Sequence, residues 1–304
     1  MNRKKYWGTA VLVLILLMAA VFGGVRYYQK INEAGKGNDS IAIIGGADGP
    51  TSIFIAGKIG NPPDTVKTEE PGTSWESYVA EAVFTENRGK YTDEEFCGEG
   101  HLILGQEEDG TRTVIYALTM YGEYQFQNGN FVKEAGTGVI PVVLTYRKND
   151  DGTYMLESYE APEDGSGYLD SAHRLFPEKL WESCISPSEG NHAFLKEQEQ
   201  NGARAYLETL GRVAPVGEYA DFEYHLLTEE GVSVEVSNRL ICDRELSCYP
   251  GWVGNLERLE EGVRYIYQTE VDKVNGRIRY IKKNMDTGST VESREFNLKT
   301  GDPV

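Results

Sequence analysis

From Trp7 to Val25 the chain carries no charged residue, and the centre of this run reads Ala-Val-Leu-Val-Leu-Ile-Leu-Leu-Met-Ala-Ala-Val-Phe. A helix needs about 20 apolar residues to cross a hydrocarbon core of ~30 Å. The run meets that length, so residues 7–25 are expected to form a single transmembrane helix with the lipid bilayer as its partner. Arg3, Lys4, Lys5 and the terminal amine precede it, while Arg26 and Lys30 follow. That excess points the N-terminus into the cytoplasm. Trp7, Tyr27 and Tyr28 stand at the two ends, where amphipathic rings favour the headgroup layer. A cleaved secretory signal is the competing reading, and Ala19, Ala20, Gly23 and Gly24 would support cleavage. Signal h-regions usually span about 7–15 residues, however, and a clean Ala-x-Ala site is missing, which favours an uncleaved anchor. No Cys closely follows the run, which excludes a lipoprotein anchor. Under both readings the chain beyond residue 30 lies outside the cytoplasm.

Charge is distributed accordingly. Residues 1–30 hold five basic residues and no acid, so the rest of the chain sets 48 acidic residues against 25 basic ones. Nucleic-acid affinity rests on Lys and Arg neutralising phosphates, so an outward part this acidic excludes a nucleic-acid partner. It reads as a solvated surface that an anionic wall or membrane would repel.

Residues 41–44 and 53–56 are two short apolar runs, Ile-Ala-Ile-Ile and Ile-Phe-Ile-Ala, on either side of a turn containing Asp48-Gly49-Pro50. Asp-Gly is a hairpin signal and Pro50 blocks a helix, so two paired strands are expected. The string Gly45-Gly46-Ala47-Asp48-Gly49-Pro50-Thr51 resembles the signature of the beta subunit of sodium-translocating decarboxylases. That resemblance implies a site at membrane depth in which Asp48 is a candidate sodium ligand. It covers about 18 of 304 residues. A sodium path needs polar groups enclosed by several helices, and this chain has one apolar span, so the motif is expected without the pumping. Residues 59–74, with three Pro and two Gly, read as a linker.

Ser74 is a candidate N-cap for a helix over Trp75–Phe84, with a strand as the rival because of its β-branched content. Strands are expected at 101–104, 113–121, 139–146 and 153–159, punctuated by Asp109-Gly110, Asn128-Gly129 and Asp151-Gly152, giving an antiparallel meander of about five strands. Pro141 marks its strand as an edge or a bulge. Over residues 168–212 the period turns helical. Leu169, Ala172, His173 and Phe176 form one face, and a longer helix runs from about Ser188 to a stop at Gly211. A second β region follows, with strands at 222–227, 232–236, 263–271, 278–282 and 291–298. The expected fold class is therefore α+β: one transmembrane helix, then an antiparallel β ectodomain with a helical middle section. The expected divisions are 1–30, 31–74, 75–212 and 213–304.

Two blocks of the ectodomain resemble the extracytoplasmic C-terminal region of BlaR-type membrane metallopeptidase sensors. One is Val139-Ile140-Pro141-Val142-Val143-Leu144 with Asp150-Asp151-Gly152-Thr153-Tyr154, Glu163 to Tyr168 and Phe176-Pro177. The other is Tyr249-Pro250-Gly251-Trp252-Val253-Gly254 with Gly262 to Tyr267. The resemblance covers roughly residues 95–300 and implies a sensory or accessory domain without catalysis. The peptidase needs His-Glu-x-x-His, and His101, His173, His192 and His225 do not have that spacing. The penicillin-sensing form carries Ser-x-x-Lys, and no Ser here has Lys three residues on. No catalytic, cofactor-binding or metal-ligating residue is therefore assigned, and no cofactor is expected. Cys242 and Cys248 flank a short outward loop and form a candidate disulfide, with free thiols as the alternative. The Asp-Gly pairs at Asp48, Asp109, Asp151 and Asp164 lack the distant Glu of a calcium loop and read as turns. Aromatic richness reads as sheet packing rather than a sugar groove. The function expected is a non-catalytic, membrane-anchored extracytoplasmic binding or sensing protein with an unknown ligand and a candidate membrane-protein partner. The alternative is an accessory component related to a sodium-translocating decarboxylase, and a secreted hydrolase ranks third.

Overall fold

Strand β4 (Arg112–Gln127) is the spine of the folded region, because its 16 residues are long enough to serve different neighbours along one edge. The computed structural model describes residues 39–44, 52–57, 74–92 and 94–304. Strands β1 (Asp39–Ile44) and β2 (Ser52–Gly57) form a two-stranded sheet of their own. The apolar span at 7–25, the Gly45–Thr51 motif with Asp48, and the linker after Gly57 lie outside the described residues. Among the described residues no helix is long and apolar enough to cross a membrane.

Helix α1 (Trp75–Asn87) begins where Ser74 caps it, its Oγ accepting the Ser77 N–H at 3.3 Å. Local capping and the buried face of Val79, Ala82 and Val83 outweigh the β-branched content that made a strand its rival. Strand β3 (Phe96–Asp109) then pairs along nearly the whole of β4. On the other edge of β4, residues Arg112–Thr119 pair with β6 (Ile140–Lys148) and Gly122–Gln127 pair with β5 (Asn130–Gly136). Strand β7 (Tyr154–Glu160) closes that side on β6. Five antiparallel strands are present as expected, but they are not a meander, since β4 hydrogen-bonds to three of them. Pro141 pairs with Leu118 on one edge, beyond the Val143–Lys148 stretch where β7 covers the other, so its missing N–H interrupts no ladder with β7.

The helical middle section comprises α2 (Tyr168–Leu175), α3 (Trp181–Ile185) and α4 (Glu189–Thr209). Gly211, at φ +63°, sits just past the end of α4 as expected of a helix stop. The expected face of α2 is wrong in part: Ala172 is buried, but Leu169 is 52% exposed and His173 is exposed, with Ser171 turned inward instead. Helix α1 covers one face of the sheet, with Val79, Val83 and Phe84 against Ile115, Tyr121 and Leu144. Helix α4 covers the other, with Leu195, Ala203 and Leu207 against Leu118, Phe126 and Phe131.

After β8 (Val216–Glu218), which pairs with β5 in parallel, comes a two-residue strand, β9 (His225–Leu226). The strand expected at 232–236 is instead helix α5 (Val234–Ile241). Ser233 Oγ accepts the Val236 N–H, and Val236 and Leu240 share a buried face, so capping and tertiary packing override three β-branched valines. Strands β10 (Trp252–Glu260), β11 (Val263–Asp272), β12 (Arg277–Asn284) and β13 (Thr290–Asn297) form an antiparallel run. Strand β10 had no counterpart in the expected set. The inner face of the β10–β13 run packs Leu256, Tyr267, Ile278 and Phe296 against Leu227, Val236 and Leu240. Leu256 pairs with Gln127, which makes β4 and the β10–β13 run one sheet. The described fold is therefore α+β, built on a large, mostly antiparallel sheet.

Candidate functional site

Among the described residues, three clusters of buried ionisable groups pair charges of opposite sign, while Glu123, also buried, accepts from Tyr121, Thr92 and the Glu94 N–H. On the α1 side of β3, His101 is 5% exposed. Its Nδ1 lies 2.9 Å from Glu99 Oε2 and its Nε2 lies 2.6 Å from Glu76 Oε2. Burial by itself lowers the imidazole pKa. The Glu99 charge and the two carboxylate hydrogen bonds override that and push it up to about 10. His101 is thus an imidazolium clamped between the sheet and the first turn of α1. On the opposite face its backbone N–H donates to Gln198 Oε1 of α4 at 2.7 Å.

On the α4 side, Glu199 accepts from Tyr124 Oη at 2.7 Å and from Lys133 Nζ at 2.8 Å. Burial pushes its carboxyl upward against the lowering by Lys133 and Tyr124. Gly100 lets α4 come this close: a Cβ there would lie 2.3 Å from the Leu195 carbonyl oxygen. Where β10 meets β4, Arg264 donates to both oxygens of Glu95 at 2.5 and 2.7 Å. Arg212 donates to both oxygens of Glu257 at 2.6 and 2.8 Å, with its guanidinium 3.5 Å over the Phe126 ring. Arg264 also reaches Glu257 at 3.2 Å, so the four charges form one network. Of these groups the sequence names only His101, and only as lacking the peptidase spacing. They stand up to 169 residues apart, and the only legible hint was polar residues inside strand patterns.

The four histidines are placed on β3, α2, α4 and β9, which agrees with their lack of shared spacing. The His173 ring packs against Trp181 with centroids 4.2 Å apart and planes tilted by 47°, and His225 contacts Glu229 and Glu230. Among the described residues no group of three or more His, Cys, Asp or Glu is arranged to hold a metal ion. Cys242 and Cys248 are exposed and unbonded at the two ends of their turn, and Cys184 is buried, where burial raises its thiol to about 11. Of the aromatic residues most pack within the sheet layers, and Tyr219, stacked on Tyr224 at 4.0 Å with Trp252 edge-on to both, is an exception at 44% exposure.

An open cleft of about 510 Å³ lies where β10 and β11 part. The last paired residues are Gly254 and Thr269. Beyond them β10 pairs with β9 (Trp252 with Leu226, Val253 with His225), while β11 runs on through Glu270, Val271 and Asp272. Val253 and Gly254 form one wall and Glu270–Asp272 the other, with Arg279 beside them. Gly254, at φ +153°, is required here because the Asn128 side chain occupies the space a Cβ would take. Asn128 Oδ1 accepts the Asn255 N–H at 2.8 Å, which fixes this wall to the β4–β5 turn. At one end the walls are tied by Lys273 Nζ, 2.7 Å from Glu230 Oε2, with His225 on the other Glu230 oxygen. The Asn275 side chain and backbone N–H, then Arg279, hold the Asp272 carboxyl down at about 2. Glu270 is held more loosely, 3.9 Å from Arg279 Nη1. Comparison with family models, with curated proteins and with solved structures finds no match for this chain.

Proposed function

We propose that this chain is a non-catalytic, membrane-anchored extracytoplasmic protein that binds or senses a ligand, with the β10–β11 cleft as its site. The cleft is the observation that carries the reading: it is an open concavity whose wall offers strand edge and charge to solvent. The buried His101, Glu199 and Arg264 centres support it from the other side, because their charges are taken up in holding helices and strands together. The likeness of the scattered ectodomain blocks to BlaR-type sensor regions points the same way. Anchorage rests on the charge-free run from Trp7 to Val25 and the basic residues before it.

Topology is tested by adding protease to intact protoplasts. Residues beyond 31 should be digested while the extreme N-terminus stays protected, and full protection of the ectodomain overturns the anchor orientation. The decarboxylase-accessory reading keeps one specific observation, the Gly45–Thr51 string. Copurification with a biotin-dependent decarboxylase from native membranes would favour it over sensing.

A further inference from the structure

We propose that the free edge of β11 at Glu270–Val271–Asp272 receives an extended peptide segment of basic–apolar–basic pattern as an added strand. This rests on the binding reading above and names the ligand class of the same cleft.

Three observations carry it. The first is the register. Strand β12 pairs with β11 through Asp272, whereas β10 stops pairing at Thr269. Glu270, Val271 and Asp272 therefore have a strand on one edge and, among the described residues, none on the other. Alternate residues of a strand turn their backbone groups to opposite edges, so Val271 presents its N–H and C=O at the open edge, a template for another chain. The second is size. Strand rise, strand spacing and sheet thickness together allot about 160 Å³ to each residue of an inserted strand, or about 480 Å³ to three. The cleft measures about 510 Å³.

The third is chemistry, and it identifies the occupant. Side chains alternate along a strand, so Glu270 and Asp272 share one face and Val271 the other. Directly opposite residues on a neighbouring strand interact across about 5 Å, and opposite charges there are favourable. A strand laid on the free edge thus gains most from a basic residue opposite Glu270, an apolar residue opposite Val271 and a basic residue opposite Asp272. The protein itself places that pattern on the occupied edge: Arg279 stands opposite Glu270, Ile278 opposite Val271, and Arg277 opposite Asp272. Glu270, 36% exposed and 3.9 Å from the nearest Arg279 nitrogen, has capacity left for a second cation. The overall charge of −18 favours the approach of a basic segment to the protein, although Lys273 and Arg279 offset Glu270 and Asp272 at the cleft itself.

The test uses the purified full chain and a dye-labelled acetyl-Val-Arg-Val-Arg-Val-amide peptide, read by fluorescence anisotropy. Binding should be saturable. Methylating the amide nitrogen of the central Val should abolish it, and replacing both Arg by Glu should do the same. Glu270→Arg should weaken it at least tenfold. Hydrogen exchange on the unaltered protein supplies the readout that no folding defect can confuse: the peptide should protect the amide of Val271, whose N–H faces the free edge. Equal binding of the methylated peptide, unchanged affinity in Glu270→Arg, or protection confined to other segments overturns the proposal. Protection of this edge without peptide, rising with protein concentration alongside a dimer in ultracentrifugation, assigns the edge to a second copy and also overturns it. Thermal shifts with cell-wall glycan fragments separate the two levels. A shift by glycans without peptide binding removes the peptide and keeps the binding reading, while no response to either removes both.

Discussion

Placing His101 between two carboxylates makes one side chain answerable for the seating of α1. Glu99 is nearly buried and Glu76 is half exposed, so most of the interaction rests on Glu99, with the Glu76 contact weakened by solvent. Removing the imidazolium leaves Glu99 buried without its cation. His101→Gln should therefore cost about 3 kcal/mol, the lower end for breaking a buried pair. The pH dependence has a definite sign. The folded pKa, about 10, lies above the ordinary 6.5, so the stabilisation is complete below about pH 6.5 and is lost as pH rises toward 10. Melting curves of wild type and His101→Gln at pH 6 and pH 10 check this: the difference in Tm should be largest at pH 6 and shrink at pH 10. A difference that grows with pH contradicts the assignment.

At the scale of elements, the contact between α4 and the sheet depends on what is missing from β3. A Cβ at Gly100 would meet a backbone oxygen of α4 at 2.3 Å, and backbone cannot swing aside as a side chain can. Gly100→Ala should destabilise by about 1–3 kcal/mol through overpacking. Gly190, in the first turn of α4, faces only Ser188 Oγ at 3.6 Å, so Gly190→Ala should be neutral or stabilising by about 0.4–1 kcal/mol. Chemical denaturation of the two variants separates close packing from glycine content as such. At this scale too lie the reasons that 232–236 is helical, that the strand expected at 222–227 shrinks to the two residues of β9, and that β10 forms where none was expected. Val232, Val234 and Val236 alternate as in a strand, yet Ser233 caps a helix whose Val236 and Leu240 meet the β10–β13 core. Gly254 and Asn255 lower the strand propensity of β10, whose pairing is decided by β11 across seven residue pairs and by Asn128 from the β4–β5 turn.

For the molecule as a whole, the junction between β4 and β10 is one paired residue reinforced by charge. Leu256 pairs with Gln127, and beside it Glu95, its side chain 2% exposed, is held by Arg264. Arg264→Met should cost about 3–5 kcal/mol because it strands that carboxylate. Adding Glu95→Gln should recover part of the loss, which a double-mutant cycle measures as a coupling energy. Additive losses would show that the pair does not hold the junction. The effect should change little with salt, since buried pairs are weakly screened.

The division between sequence and tertiary structure follows from the range of the forces involved. Local signals were enough for Ser74 as a cap, Asp151-Gly152 and Asn128-Gly129 as turns, α4 with its stop at Gly211, and the α+β class, because caps, positive-φ glycines and apolar period act within a few residues. Tertiary structure decided everything that depends on distant residues meeting. It set β4 as a shared spine in place of a meander, made a helix of Val234–Ile241, and brought His101 to Glu76 and Arg264 to Glu95. It also parted β10 from β11 to leave the edge at Glu270–Asp272. A carboxylate destined for a buried cation looks the same in sequence as a solvated one, and a strand does not record in its own residues how far its neighbour will follow it.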